Sequence, residues 1–169
     1  YGRSFSRLDE IPDEELARLA GGGITTRWLI GIWERSRASQ KIKQKCGNPE
    51  ALASAYAIYD YAVAGELGGE QGFENLKERG LRRRIRIAVD MVPNHTGILS
   101  RWIVEHPDWF IQTEQPPFDR YAFSGPDLSD DPRVKIFLED GYWTRADAAV
   151  VFKHVETGTG RIRYIYHGN

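Results

Sequence analysis

The stretch from Ile85 to His95 constrains the fold most. Ile85-Arg86-Ile87-Ala88-Val89 is apolar at all but one position and runs directly into Asp90-Met91-Val92-Pro93-Asn94-His95. Ile85 to Val92 reads as a strand, and Pro93 ends it because proline cannot donate to a ladder. A helical pattern precedes it, with Phe73, Leu76, Gly80 and Leu81 at helical spacing. The same order occurs earlier. Pro12-Asp13-Glu14-Glu15 opens a helix, since proline suits the first turn and acids suit its positive end. Leu16, Leu19 and Ala20 then share one face, and Gly21-Gly22-Gly23 stops it.

Residues Ile24 to Trp33 follow as a mostly apolar run without strict alternation, interrupted at Arg27. That texture predicts a strand buried on both faces, as in a parallel sheet. Helix, strand, long connection, helix and strand make a βαβ pattern, whose crossover sets the strands parallel. The connection, 34–69, has no clear periodicity. After Pro93 the texture changes, and residues 97–169 are rich in aromatics and loop formers. A helix is expected around Val134 to Leu138. Ala149 to Val155 and Arg161 to Tyr166 flank Glu156-Thr157-Gly158-Thr159-Gly160, which predicts a β-hairpin. The expected division is therefore an α/β part over 1–96 and a small, irregular, β-containing part over 97–169.

Composition narrows the function classes. The net charge is −1 over 169 residues, so no global field draws the chain to nucleic acid. The basic stretch Lys77, Arg79, Arg82, Arg83, Arg84 and Arg86 reads as the exposed C-terminal end of a helix. The longest apolar run, Trp28 to Trp33, is far too short to cross a bilayer. Cys46 is the single cysteine, which rules out an internal disulfide. No nucleic-acid or membrane partner is expected.

Two clusters can carry chemistry. Asp90 would lie at the C-terminal tip of its strand, with Asn94 and His95 on the loop beyond. A carboxylate, an amide and an imidazole there can hold sugar hydroxyls, which both donate and accept hydrogen bonds. The second cluster is Tyr56-Ala57-Ile58-Tyr59-Asp60-Tyr61, inside the long connection. Tyrosines in a cleft make flat apolar platforms with a polar tip, suited to the C–H faces of sugar rings. The same tyrosines could instead anchor the loop. Asp127, Asp130 and Asp131 form an acidic loop whose spacing does not fit an EF-hand.

In order and spacing, these clusters resemble the α-amylase family of glycoside hydrolases. Asp90, Asn94 and His95 match its Asp, three residues, Asn-His at the third barrel strand. Tyr56, Asp60 and Tyr61 match its upstream aromatic turn. Trp28-Leu29 matches a Trp-Leu pair in its second strand, Phe73 and Leu76 match the following helix, and His106-Pro107-Asp108-Trp109-Phe110 resembles the start of its inserted domain. The chain departs from the pattern at Ala55 and Arg84, where glycine is usual, at Gly31, where proline is usual, and at Arg27 in a normally apolar strand.

The resemblance implies a partial (β/α)8 TIM barrel, with the second and third strands within 1–96 and an inserted subdomain over 97–169. It implies a retaining glycosidase or transglycosidase acting on α-linked glucosides or α-glucans, with oligosaccharide or polysaccharide as partner. His95 would bond the sugar at the cleavage subsite, Tyr56 would stack beneath it, Asp90 would brace the base, and Asp60 and Tyr61 would line the site. Asn94 matches a position that binds calcium in many members, which opens calcium as a cofactor. The catalytic carboxylates follow the fourth, fifth and seventh strands and are expected outside these residues. A barrel needs about 250 residues, so the chain alone is expected to be inactive. Two other readings stay open: a non-catalytic amylase-like interaction domain, and a metal-dependent barrel enzyme with Asp90 and His95 as ligands.

Overall fold

In the computed structural model, helix α1 spans Asp13–Gly21 and begins as its sequence requires. Pro12 sits before the first turn in an extended conformation, and Asp13, Glu14 and Glu15 face the positive end of the dipole. Its glycine run builds a Schellman closure. Gly23, at φ 81°, donates to the Ala20 carbonyl, and Ile24 donates to that of Leu19. The structure describes residues 1–144 and 150–167.

The chain then forms β1 (Thr26–Leu29) and β2 (Trp33–Arg35), helix α2 (Ala38–Lys45) and β3 (Ile58–Val63). Helix α3 (Gly69–Arg82) leads to β4 (Arg86–Val89). Beyond it lie α4 (Arg101–Glu105), the short β5 (Gln112–Thr113), β6 (Val134–Leu138), α5 (Asp140–Thr144), β7 (Val151–Glu156) and β8 (Ile162–Tyr166). Strand β1 pairs parallel with β4, Thr26 opposite Arg86 through Leu29 opposite Val89, as the βαβ pattern predicts. Strand β2 pairs with β3. The architecture is α/β, with no closed barrel among the described residues.

Two compact units divide the chain. The first comprises 1–34 and 61–91. Its core joins Leu8, Leu16, Ile32, Val63 and Leu76, with Trp33, Phe73 and Ile87 packed against it. Arg79 of α3 clamps the N-terminal segment: it pairs with Asp13 at 3.1 Å and donates to the carbonyls of Ile11 and Asp9. Arg83 meets the same aspartate at 3.1 Å. Lys77 pairs with Glu74 and Arg82 with Glu78, so much of the basic stretch is matched by acids of its own chain.

The expectation of a strand buried on both faces fails for β1. Trp28 is 61% exposed and Ile30 54% exposed. The strand is also shorter than predicted. Gly31, at φ 71°, turns the chain, so Trp33 belongs to a separate strand.

The second unit comprises 35–60 together with the residues after Met91. Its sheet runs β5-β8-β7-β6, all antiparallel. The predicted hairpin forms between β7 and β8, although Ala149, placed in it by the sequence, lies outside the described residues. Its turn closes through Gly160 N–H to the Glu156 carbonyl at 2.8 Å, with Gly160 at φ 72°. The helix expected around Val134 to Leu138 is instead strand β6. Val134, Ile136 and Leu138 are buried in alternation, the period of a strand, and β-branched side chains favour the pleated surface. These side chains join Ala38, Ile42, Ile98, Ile103, Leu128, Phe152 and Ile165 in one core. Helix α2 lies within the connection that shows no clear periodicity; only Ala38 and Ile42 of it are buried, too few to mark an apolar stripe.

Candidate functional site

In the first unit, Asp90 stands one residue past β4, at the C-terminal tip. It is 8% exposed. Its Oδ1 accepts the backbone N–H of Gly31 at 3.0 Å, and its carbonyl accepts the Trp33 indole N–H at 2.8 Å. The Tyr61 ring meets Trp33 edge-on, centroids 5.3 Å apart. Asp90 Oδ2 is buried with no hydrogen-bond partner among the described residues. A carboxylate oxygen in that condition is costly, because desolvation is not repaid. Gly31 accounts for one departure from the family pattern. A proline there would have no N–H to give Asp90 and could not adopt a positive φ.

In the second unit, the loop after β4 is bonded to the start of β3. Gly97 N–H donates to the Ile58 carbonyl at 2.9 Å, and Ser100 Oγ–H donates to that of Tyr59 at 2.9 Å. A Cβ on Gly97 would fall 2.2 Å from Ser36 Cβ, so the close approach requires glycine. Tyr56 and His95 each stand two residues before one end of the Gly97–Ile58 bond. Tyr56 is half exposed, and His95 is partly buried. The Asn94 amide nitrogen lies 3.5 Å from His95 Nδ1.

Asp60 is bound by Arg101 at 2.8 Å, and Arg101 also meets Glu105 at 3.4 Å. A hydroxyl approaching Asp60 therefore competes with a guanidinium. Sequence reasoning missed Arg101, Gly97, Ser100 and Ser36, since their partners lie across the fold from different segments.

The acidic loop is engaged by its own chain. Asp127 accepts from the N–H groups of Ser129 and Ile136, Asp130 pairs with Lys41 at 2.5 Å, and Asp131 pairs with Arg133 at 2.7 Å. The Arg133 hydrogen bond holds the Asp131 carboxyl below its ordinary range. Among the described residues no three His, Cys, Asp or Glu side chains converge to hold a metal ion. Calcium takes 6–8 oxygen ligands, and exposed Asn94 does not by itself make a site for it. No helix among the described residues is long and apolar enough to cross a membrane.

No protein-family model matches the sequence, and comparison with curated proteins gives no match. Solved structures do match. A noncanonic maltogenic α-amylase, AmyB of Thermotoga neapolitana, is 27% identical over 68% of this chain and 25% of its own, with a TM-score of 0.50. Trehalose-6-phosphate hydrolase TreA of Bacillus licheniformis is 20% identical over 91% of this chain and 23% of its own, with a TM-score of 0.53. The second likeness is one of fold alone. The chain spans about a quarter of the length of each. The resemblance to the α-amylase family carried by the motifs is thus also a resemblance of structure, shared with part of two such glycosidases.

Proposed function

We propose that the chain is part of a retaining glycoside hydrolase or transglycosidase acting on α-linked glucosides or α-glucans. The reading treats 1–96 as the portion carrying the second and third strands of a (β/α)8 barrel, and 97–169 as an inserted subdomain. It assigns no catalytic carboxylate to these residues. It assigns Tyr56 and His95 to substrate contact in the second unit, and Asp90, with Tyr61 behind Trp33, to the strand tip in the first. Asp60 serves with Arg101 as a charged pair beside Tyr59.

One observation carries the reading: the bond from Gly97 to Ile58, which ties the His95 loop to the Tyr56 turn. A phenol and an imidazole held on tied segments offer stacking for a ring face and a hydrogen bond for a hydroxyl. The maltogenic α-amylase likeness supports the substrate class. Asn94 remains the candidate for calcium by resemblance, and no step depends on it.

The test is hydrolysis of maltooligosaccharides by a longer protein that includes this chain, with His95→Ala and Tyr56→Ala beside the wild type. We expect His95→Ala to lower kcat/KM by about two orders of magnitude, the scale for a group that stabilises a transition state. Tyr56→Ala should act mainly on KM. A wild type that turns over none of these sugars would favour the non-catalytic reading and end this one.

A further inference from the structure

Trp109 is 65% exposed in the second unit. One face of its indole is covered by the His106 ring, with centroids 4.0 Å apart and planes 6° from parallel. A side chain with one face covered reaches such exposure only if the other face is open. The turn that carries it is hydrogen-bonded. The Trp109 backbone N–H donates to the His106 carbonyl at 3.0 Å, the Phe110 backbone N–H donates to that of Pro107 at 3.3 Å, and Gln112 Nε2–H donates to the Pro107 carbonyl at 2.9 Å. Pro107 is buried and Phe110 packs on the unit's core, so the turn has a rigid footing. Ile111 is 79% exposed two residues on, and Asp108 stands exposed within the same turn.

We propose that Trp109, backed by His106, is a second carbohydrate-binding point that takes a pyranose ring of an α-glucan on its open face. An indole stacked on a second ring and carried on a hydrogen-bonded turn offers an apolar plane for a ring face. The C–H face of a pyranose is the complementary surface, and the Asp108 carboxylate can accept from hydroxyls at its rim. The linkage class rests on the function proposed above. The platform uses none of the residues assigned there, so it anchors a polymer without taking part in bond cleavage.

The test is electrophoresis through gels containing amylopectin, with wild type, Trp109→Ala, Trp109→Phe and His95→Ala, alongside size-exclusion chromatography. The wild type should be retarded. Trp109→Ala should bind about tenfold more weakly, Trp109→Phe should keep part of the retardation, and His95→Ala should keep most of it. Hydrolysis of maltotriose by a longer protein carrying Trp109→Ala should be unchanged. Retardation lost only in His95→Ala, or no retardation of wild type, overturns the platform and leaves the hydrolase reading to its own assay. A wild type that self-associates, and becomes monomeric in Trp109→Ala without any glucan effect, also overturns it. Trp109-dependent retardation without hydrolysis keeps the platform as a glycan site and removes the hydrolase reading.

Discussion

Gly31 gives its backbone N–H to Asp90 Oδ1 across 3.0 Å, joining the turn after β1 to the tip of β4. The bond needs a residue that has an N–H and tolerates φ 71°. Gly31→Ala keeps the donor but pays for left-handed backbone, which costs about 1–2 kcal/mol. Gly31→Pro loses the donor and the conformation together, and should cost about 3 kcal/mol or more. Urea denaturation of the three proteins should give that order. Equal stability of Gly31→Pro and wild type would remove the bond from the account of this strand tip.

At Asp90 itself, the partnerless Oδ2 separates stability from function. Asp90→Asn keeps an acceptor for Gly31 and removes a buried charge. Its stability should stay close to that of the wild type, because the amide leaves one buried polar group without a partner where the carboxylate left another. Asp90→Ala strands the Gly31 N–H and should lose about 1–3 kcal/mol. A melt in which Asp90→Asn is the weaker of the two variants would mean that Oδ2 has a partner after all.

Gly97 makes a sharper steric prediction. Its absent Cβ leaves room for Ser36, which is fully buried. Gly97→Ala should destabilise by about 1–3 kcal/mol, the usual range for overpacking. Ser36→Gly in the same molecule should recover part of it, and a double-mutant cycle should show coupling of at least about 0.5 kcal/mol. Additive losses would place the clash elsewhere.

Local signals carried far in this chain, and long-range ones did not. The ends of α1 were visible because Pro12, the three acids and the glycine run act within a few residues. The parallel pairing of β1 and β4 followed from element order alone. Val134 to Leu138 misled because five residues offer too little length to tell a strand from a helix. Their alternation is explained only by the core of Leu128, Phe152 and Ile165 that receives them. The candidate site divides in the same way. Asp90 at a strand tip was legible. The bonds that Gly31 and Trp33 give it within the first unit, and those of Ile58 and Arg101 within the second, join residues far apart in sequence, and no spacing rule announces them.

Arg84 is the one non-glycine residue at positive φ among those described, at 62°. It closes α3 by the same Schellman pattern that ends α1. Arg84 N–H donates to the Leu81 carbonyl and Ile85 N–H to that of Gly80, each at 2.9 Å. The family pattern has glycine there, and the geometry explains why. Arg84→Gly should stabilise the chain by about 1 kcal/mol, the strain relieved less the added freedom of the unfolded glycine. Thermal denaturation should show a higher midpoint; a lower one would mean that the Arg84 side chain contributes more than its backbone costs.

His154 sets the response to acid. It lies on β7 between Ile136 of β6 and Arg163 of β8, fully buried, and neither ring nitrogen makes a hydrogen bond of good geometry among the described residues. Burial pushes its pKa down, and the Arg163 charge pushes the same way, against smaller upward pulls from Glu156, which Arg163 also pairs, and from the Ile103 backbone. The folded chain therefore holds a neutral imidazole where the unfolded chain titrates near about 6.5. Below that pH the unfolded state binds a proton that the folded state refuses, so the contribution is complete above about 6.5 and is lost as pH falls. The slope for one proton is at most about 1.4 kcal/mol per pH unit. His154→Leu removes both buried ring nitrogens, and should equal or exceed the wild type at pH 7 while flattening stability between pH 5 and 7. Carboxylates held low by arginines, such as Asp131 and Glu156, lose their contribution only in stronger acid and should behave alike in both proteins. Urea midpoints across that interval decide the matter: parallel curves for wild type and His154→Leu would show that some other group governs the acid response.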